Sequence, residues 1–118
     1  MPETLKVTVR REGSIGILEI EGYITDPAAE KVAGAGDALI QEGIRHIVMN
    51  LEQSRIANSM GISILIELIE KVREPDGKVA FCCVAPVLAK TLRIMGLLKV
   101  AEIYATEDEA VEHLRSLV

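Results

Sequence analysis

Tryptophan is absent from this chain, phenylalanine occurs once and tyrosine twice, so aromatic residues make up only 3% of it. The core must therefore be aliphatic. Basic runs are also missing: the net charge is -5 and the pI about 5.0. That excludes a nucleic-acid surface, which needs a basic face. No stretch of 18 apolar residues occurs, which excludes a transmembrane helix. The start, Met-Pro-Glu-Thr-Leu-Lys, lacks the basic and apolar regions of a signal peptide. The two cysteines, Cys82 and Cys83, are adjacent, and neighbours on a strand point to opposite faces. They read as core-filling thiols, and with the distant His46 and His113 they make no metal-ligand spacing. A reducing, cytoplasmic compartment is the expectation.

What remains is 118 residues that are 49% hydrophobic, enough for one domain, residues 1–118, with a real core. Leu5 to Arg10 alternates as a half-exposed strand; Glu12-Gly13 reads as a turn and Ile15 to Ile20 as the second strand of a hairpin. Asp26 is placed to cap a first helix with Pro27 at its first position, and Gly43 to close it. Gly34 and Gly36 suggest close packing there. His46 to Leu51 is an unbroken apolar run, as at a sheet centre. A second helix is predicted from about Met60 to Arg73, a strand over Lys78 to Val84, and a third helix from Pro86 to Met95 capped by Gly96. Val87, Leu88, Leu92 and Met95 are predicted to line its inner face. Ala101 to Tyr104 is a short strand. Thr106 and Glu109 form a capping box for a last helix with Ala110, Val111, Leu114 and Leu117 inward.

The order ββαβαβαβα implies an α/β fold with a mixed, largely parallel sheet and about four helices. Sites in such folds lie beyond the carboxyl ends of the strands. Two loops leave such ends: Gly22 to Asp26 and Glu52 to Asn58. The second delivers Ser59 to the mouth of an apolar helix, where N–H groups and partial positive charge suit a phosphorylated hydroxyl. Ser59 is also a natural N-cap, worth about 1 kcal/mol, and Gly61 permits a close backbone approach. Catalysis at Ser59 would need a base. His46 belongs at the opposite edge of the sheet and His113 faces solvent; no Gly-x-Ser-x-Gly elbow and no flanking carboxylate pair occur. Gly34-Ala35-Gly36 is no phosphate loop, because it lies mid-helix. The acidic tract Glu102 to Glu112 reads as a solvated helix start. Met95, Leu97 and Leu98 read as core and loop anchors, part of which would offer an apolar docking patch beside Ser59.

Taken together, Gly22-x-Ile24, Ile44 to Leu51, Asn58-Ser59-Met60-Gly61, Pro86 and Met95-Gly96-Leu97 resemble the STAS domain, in particular the bacterial anti-sigma factor antagonists. The resemblance spans nearly the whole chain. It implies a small β-sheet backed by helices and a regulatory protein that is not an enzyme and uses no cofactor. It further implies an anti-sigma factor serine kinase as partner, phosphorylation at Ser59 and a resetting phosphatase. The family loop reads Asp-Ser-Ser-Gly or Asp-Ser-Thr-Gly; here Asn58 replaces the acid and Met60 follows the serine. The family's other acid falls on Thr25, with Asp26 adjacent. Thr25, Asp26, Asn58, Ser59, Met60 and Gly61 are thus the expected partner-binding residues. The overall charge suggests a partner presenting Arg or Lys. The alternative is a STAS subunit of a transporter or stressosome-like assembly that is never phosphorylated, which Asn58 and Met60 favour. A third reading is a small-ligand carrier with an apolar cleft near the second helix.

Overall fold

A computed structural model describes residues 5–118, with Asp26 described by its backbone alone. The elements are β1 (Lys6–Glu12), β2 (Ile15–Glu21), α1 (Asp26–Gln41), β3 (His46–Gln53), α2 (Ser59–Arg73), β4 (Lys78–Cys82), α3 (Pro86–Ile94), a 3-10 turn (Leu97–Lys99), β5 (Ala101–Tyr104) and α4 (Glu107–Arg115). The five strands lie side by side in chain order. β1 and β2 pair antiparallel and every later neighbour is parallel. The mixed sheet and the element order are those the sequence implied.

Chain-order strands joined by right-handed crossovers place their helices on one face. Accordingly Leu18, Ile20, Ile47, Met49, Leu51 and Phe81 pack in one cluster with residues of α1, α2 and α3. Ile15, Ile17, Val48, Ala80 and Cys82 face the other way, against Ala110, Val111 and Leu114 of α4. The strand order never reverses, so there is no switch-point crevice of the doubly wound kind. What the fold does create is one edge where the loops after β2, β3 and β4 emerge together. α2 is fixed at that edge by Ile62, Leu65, Leu68, Ile69 and Val72, all buried. Each contributes roughly 1.5–3 kcal/mol by leaving water.

Several local expectations shift. The turn of the hairpin is Gly13-Ser14, because β1 runs through Glu12. Thr25, not Asp26, is the N-cap of α1, which puts Pro27 second in the helix; a proline is still tolerated in the first turn, where no helical N–H bond is lost. Close packing holds for Gly36, where a Cβ would lie 2.5 Å from Leu68, but not for Gly34, which has nothing within 4 Å. β4 stops at Cys82, since Cys83 turns to φ 61° and leaves the ladder. Cys82 is buried and its thiol is pushed up by burial and then by its neighbour Cys83. In α3 only Leu88 and Leu92 are buried; Val87 is 71% and Met95 39% exposed. Leu117 lies beyond the end of α4 and is exposed.

Candidate functional site

The edge beyond β2 and β3 is built by two loops that keep pairing after the sheet ends. Gly22 N donates to Gln53 O at 3.1 Å, Ile24 N to Ile56 O at 3.0 Å, and Asn58 N to Ile24 O at 3.1 Å. Ile24 and Ala57 form a parallel bridge. Ser54, fully buried, turns the chain by donating its hydroxyl to Ile20 O at 3.0 Å. The zipped loops set Ile24 against Ala57, Asn58 and Gly61, with Thr25 and the Asp26 backbone next along the chain from Ile24 and Ser59 and Met60 between Asn58 and Gly61. The Asp26 side chain lies outside the described structure.

Asn58, not Ser59, caps α2. Its backbone is extended (φ -93°, ψ 172°) and its Oδ1 accepts from Gly61 N at 2.7 Å. Ser59 is already helical, the first residue of α2, and is exposed. Its hydroxyl and N–H, and the N–H of Met60, have no hydrogen-bond partner among the described residues. The two N–H groups are of the kind that every helix start leaves unsatisfied. Ser63 is also exposed, but its hydroxyl is turned back onto Ser59 O at 3.0 Å. Gly61 is dictated by the approach of the loops: a Cβ there would sit 2.1 Å from Ile24 O. The close approach expected at Gly61 is thus made by the chain's own backbone.

On the same loop edge lies an open groove of about 520 Å³, bordered by Tyr23, Gln53, Arg55, Ile56, Pro86 and Val87 but not by Ser59 itself. Tyr23 is 44% exposed and Ile56 51%, while Met60, next to Ser59, is 58% exposed. Of the segment expected to offer an apolar patch, Leu97 is fully buried; Met95 is exposed, but it follows the nine-residue α3, which leads away from the edge. The usable signals were an isolated apolar residue in a polar loop, Ile56, and the position of Val87 one residue before the inward Leu88.

Neither histidine meets Ser59. His46 starts β3, eight residues long, so about 23 Å of strand separates it from the far end. Its Nδ1 accepts from Lys78 N at 3.1 Å, and its pKa is depressed by burial, then by Arg45 and Lys78. His113 stacks on Tyr104 with ring centroids 5.3 Å apart and lies 3.4 Å from Glu102. Among the described residues no group of three His, Cys, Asp or Glu side chains is gathered that could hold a metal, and no helix is long and apolar enough to cross a membrane.

A singly wound five-stranded sheet whose loop edge presents an exposed serine and an apolar groove defines a small α/β domain. The chain belongs to the STAS domain family, whose model matches residues 6–110. It is 24% identical over 111 residues to the anti-sigma F factor antagonist of Paenibacillus polymyxa, covering 93% of this chain and 95% of the relative. It superposes with a TM-score of 0.83 on an anti-sigma factor antagonist from Mycobacterium paratuberculosis, at 21% identity and 95% of each chain. SpoIIAA in its unphosphorylated form matches with a TM-score of 0.74 at 18% identity, over 93% of this chain and 98% of that one; the Bacillus protein is also known in its phosphorylated form.

Proposed function

We propose that this protein is a non-enzymatic anti-sigma factor antagonist. It docks a partner serine kinase, itself an anti-sigma factor, through the loop edge of the sheet. Phosphorylation of Ser59 turns docking off, and a phosphatase restores it. The carrying observation is the exposed Ser59 hydroxyl, without a partner among the described residues, at the start of a 15-residue helix whose first two N–H groups are open. A phosphate adds about -1.5 to -2 charge at neutral pH. Over the N-terminus of α2 that charge is accommodated by the helix dipole, so the fold need not rearrange. The same group would obstruct a docked partner sterically and electrostatically. The family relationship and its anti-sigma antagonist relatives support this reading. Two free cysteines fit a reducing cytoplasm.

Ser59→Asp is expected to weaken binding to the cognate kinase at least tenfold, about 1.4 kcal/mol, while Ser59→Ala keeps binding. Equal affinity of wild type and Ser59→Asp would sink the switch. Incubation with kinase and ATP should add one phosphate, located by mass spectrometry at Ser59. Buried Ser54 cannot accept it without local opening, and phosphate found only at Ser63 would reject Ser59 as acceptor. One observation favours a second reading, a constitutive STAS subunit. The site acids are replaced by neutral Asn58 and Thr25, and the Asn58 carbonyl is already engaged as a helix cap. In that case a stable complex forms with a transporter or signalling assembly and is indifferent to Ser59→Asp.

A further inference from the structure

The groove at the loop edge has a charge of its own. The chain carries -5, yet among the residues bordering the groove the one full charge is the cation of Arg55. Arg10, Arg11, Arg73 and Arg115 hold carboxylates; Arg45, Arg55 and Arg93 have no acidic partner among the described residues, and of these three Arg55 borders the groove. Its backbone is held in place by its neighbours. Ser54 before it is anchored to Ile20 O, and Ile56 after it accepts from Ile24 N. Around it the exposed parts of Tyr23 and Ile56, from two loops, and Val87, from the first turn of α3, converge. Apolar residues brought together at a surface around one polar anchor are the makeup of an interface core, with Arg among the residues enriched there.

We infer that the groove seats an apolar segment of the docking partner that carries a carboxylate, and that this carboxylate pairs with Arg55. The inference rests on the docking reading above and names the chemistry of the partner. The guanidinium fork suits a carboxylate in a way that a lysine ammonium does not. This reverses, at this one spot, the expectation of a basic partner drawn from net charge. It also gives the switch a target. Ser59 lies four residues beyond Arg55, so their Cα atoms are at most about 14 Å apart along an extended chain. A phosphate there repels the seated carboxylate, the more strongly the lower the salt.

The test is a calorimetric titration of full-length wild type and variants against each purified kinase–anti-sigma factor of the same genome. Arg55→Glu and Val87→Glu should each weaken binding at least tenfold, Arg55→Lys markedly less. All three should leave the melting temperature within a degree or two, because both residues lie at the surface. Replacing the partner's groove-facing Asp or Glu by Arg should restore binding of Arg55→Glu. If wild type binds and Ser59→Asp fails, but Arg55→Glu and Val87→Glu bind like wild type, the groove inference falls and the docking reading stands. Tighter binding by Arg55→Glu would mean a basic occupant and also overturns it. Absence of binding by wild type to every such kinase removes both.

Discussion

The starts of α2 and α4 use the same physics to opposite ends. At α4 the Thr106 hydroxyl accepts from Glu109 N at 3.1 Å, the Glu109 carboxylate reaches back to Thr106 N at 3.4 Å, and Glu107, Asp108 and Glu109 fill the first turn. Glu107 also accepts from Arg10 at 2.7 Å and from Asn50 at 2.9 Å, which ties the helix to β1 and β3. At α2 there is a single side-chain cap, Asn58, and no acid in the first turn. One helix start is satisfied by the chain itself and closes the smaller core. The other is left open at the surface, with a hydroxyl in front of it. The start of α2, with a serine hydroxyl at its open N–H groups, is therefore placed to accommodate an added negative charge.

The largest effect should come from Gly61→Ala. A Cβ 2.1 Å from the Ile24 carbonyl must push the two zipped loops apart, and backbone yields poorly. A loss at the upper end of the about 1–3 kcal/mol typical of overpacked sites is expected in urea unfolding. An unchanged midpoint would show that α2 does not depend on the β2–α1 loop for its position.

Next is Glu107→Ala, which strips the partner from Asn50, only 5% exposed, and from Arg10. About 1–3 kcal/mol should be lost. This contact is also sensitive to acid. Burial raises the Glu107 pKa, but the hydrogen bonds from Arg10 and Asn50 and the charge of Arg10 outweigh it, so the carboxyl is held below its ordinary 4.5. A group whose pKa falls on folding stabilises the fold above its unfolded value, and that stability is lost as pH drops through the folded value. Wild type should therefore weaken more steeply below about pH 4.5 than Glu107→Gln. Parallel acid curves would mean that Glu107 is not the titrating tie.

The smallest effects bear most directly on the two helix starts. Thr106→Ala should cost about 1 kcal/mol by removing a cap that is in use. Ser59→Asp should add about 0.3–1 kcal/mol by supplying the acid that α2 lacks, while it weakens the partner. Opposite signs for stability and affinity in one variant would separate a docking site from a structural cap. A loss of both would mean that the Asp disturbs the helix itself.

Much of this was legible along the chain because its causes are local. The capping box of α4 was read residue by residue, since a Thr and a Glu three positions apart satisfy each other's backbone. The apolar run of β3 announced a strand buried on both faces, and His46 to Leu51 is buried throughout. The cap of α2 was not legible in the same way. Asn58 and Ser59 are both good N-caps, and the choice falls to Asn58 because Ile24 holds its backbone N–H in the extended loop. Val87, predicted to face inward, lies on the outer side of α3: Val87, Leu88, Ala89, Leu92 and Ile94 surround that short helix with apolar residues, so the pattern admits more than one inward face.

By itself, then, the sequence determined the α/β order, the aliphatic core, the serine at a helix start and the family, because periodicity, capping and turn chemistry act over a few residues. Only the tertiary structure decided which residue caps α2, why Gly61 must be glycine and where the apolar groove lies. Those depend on Ile24 meeting Ala57, and on Tyr23, Ile56 and Val87 converging from two loops and the start of α3. Contacts between segments distant in the chain are fixed by sheet register and crossover handedness, which no local pattern encodes.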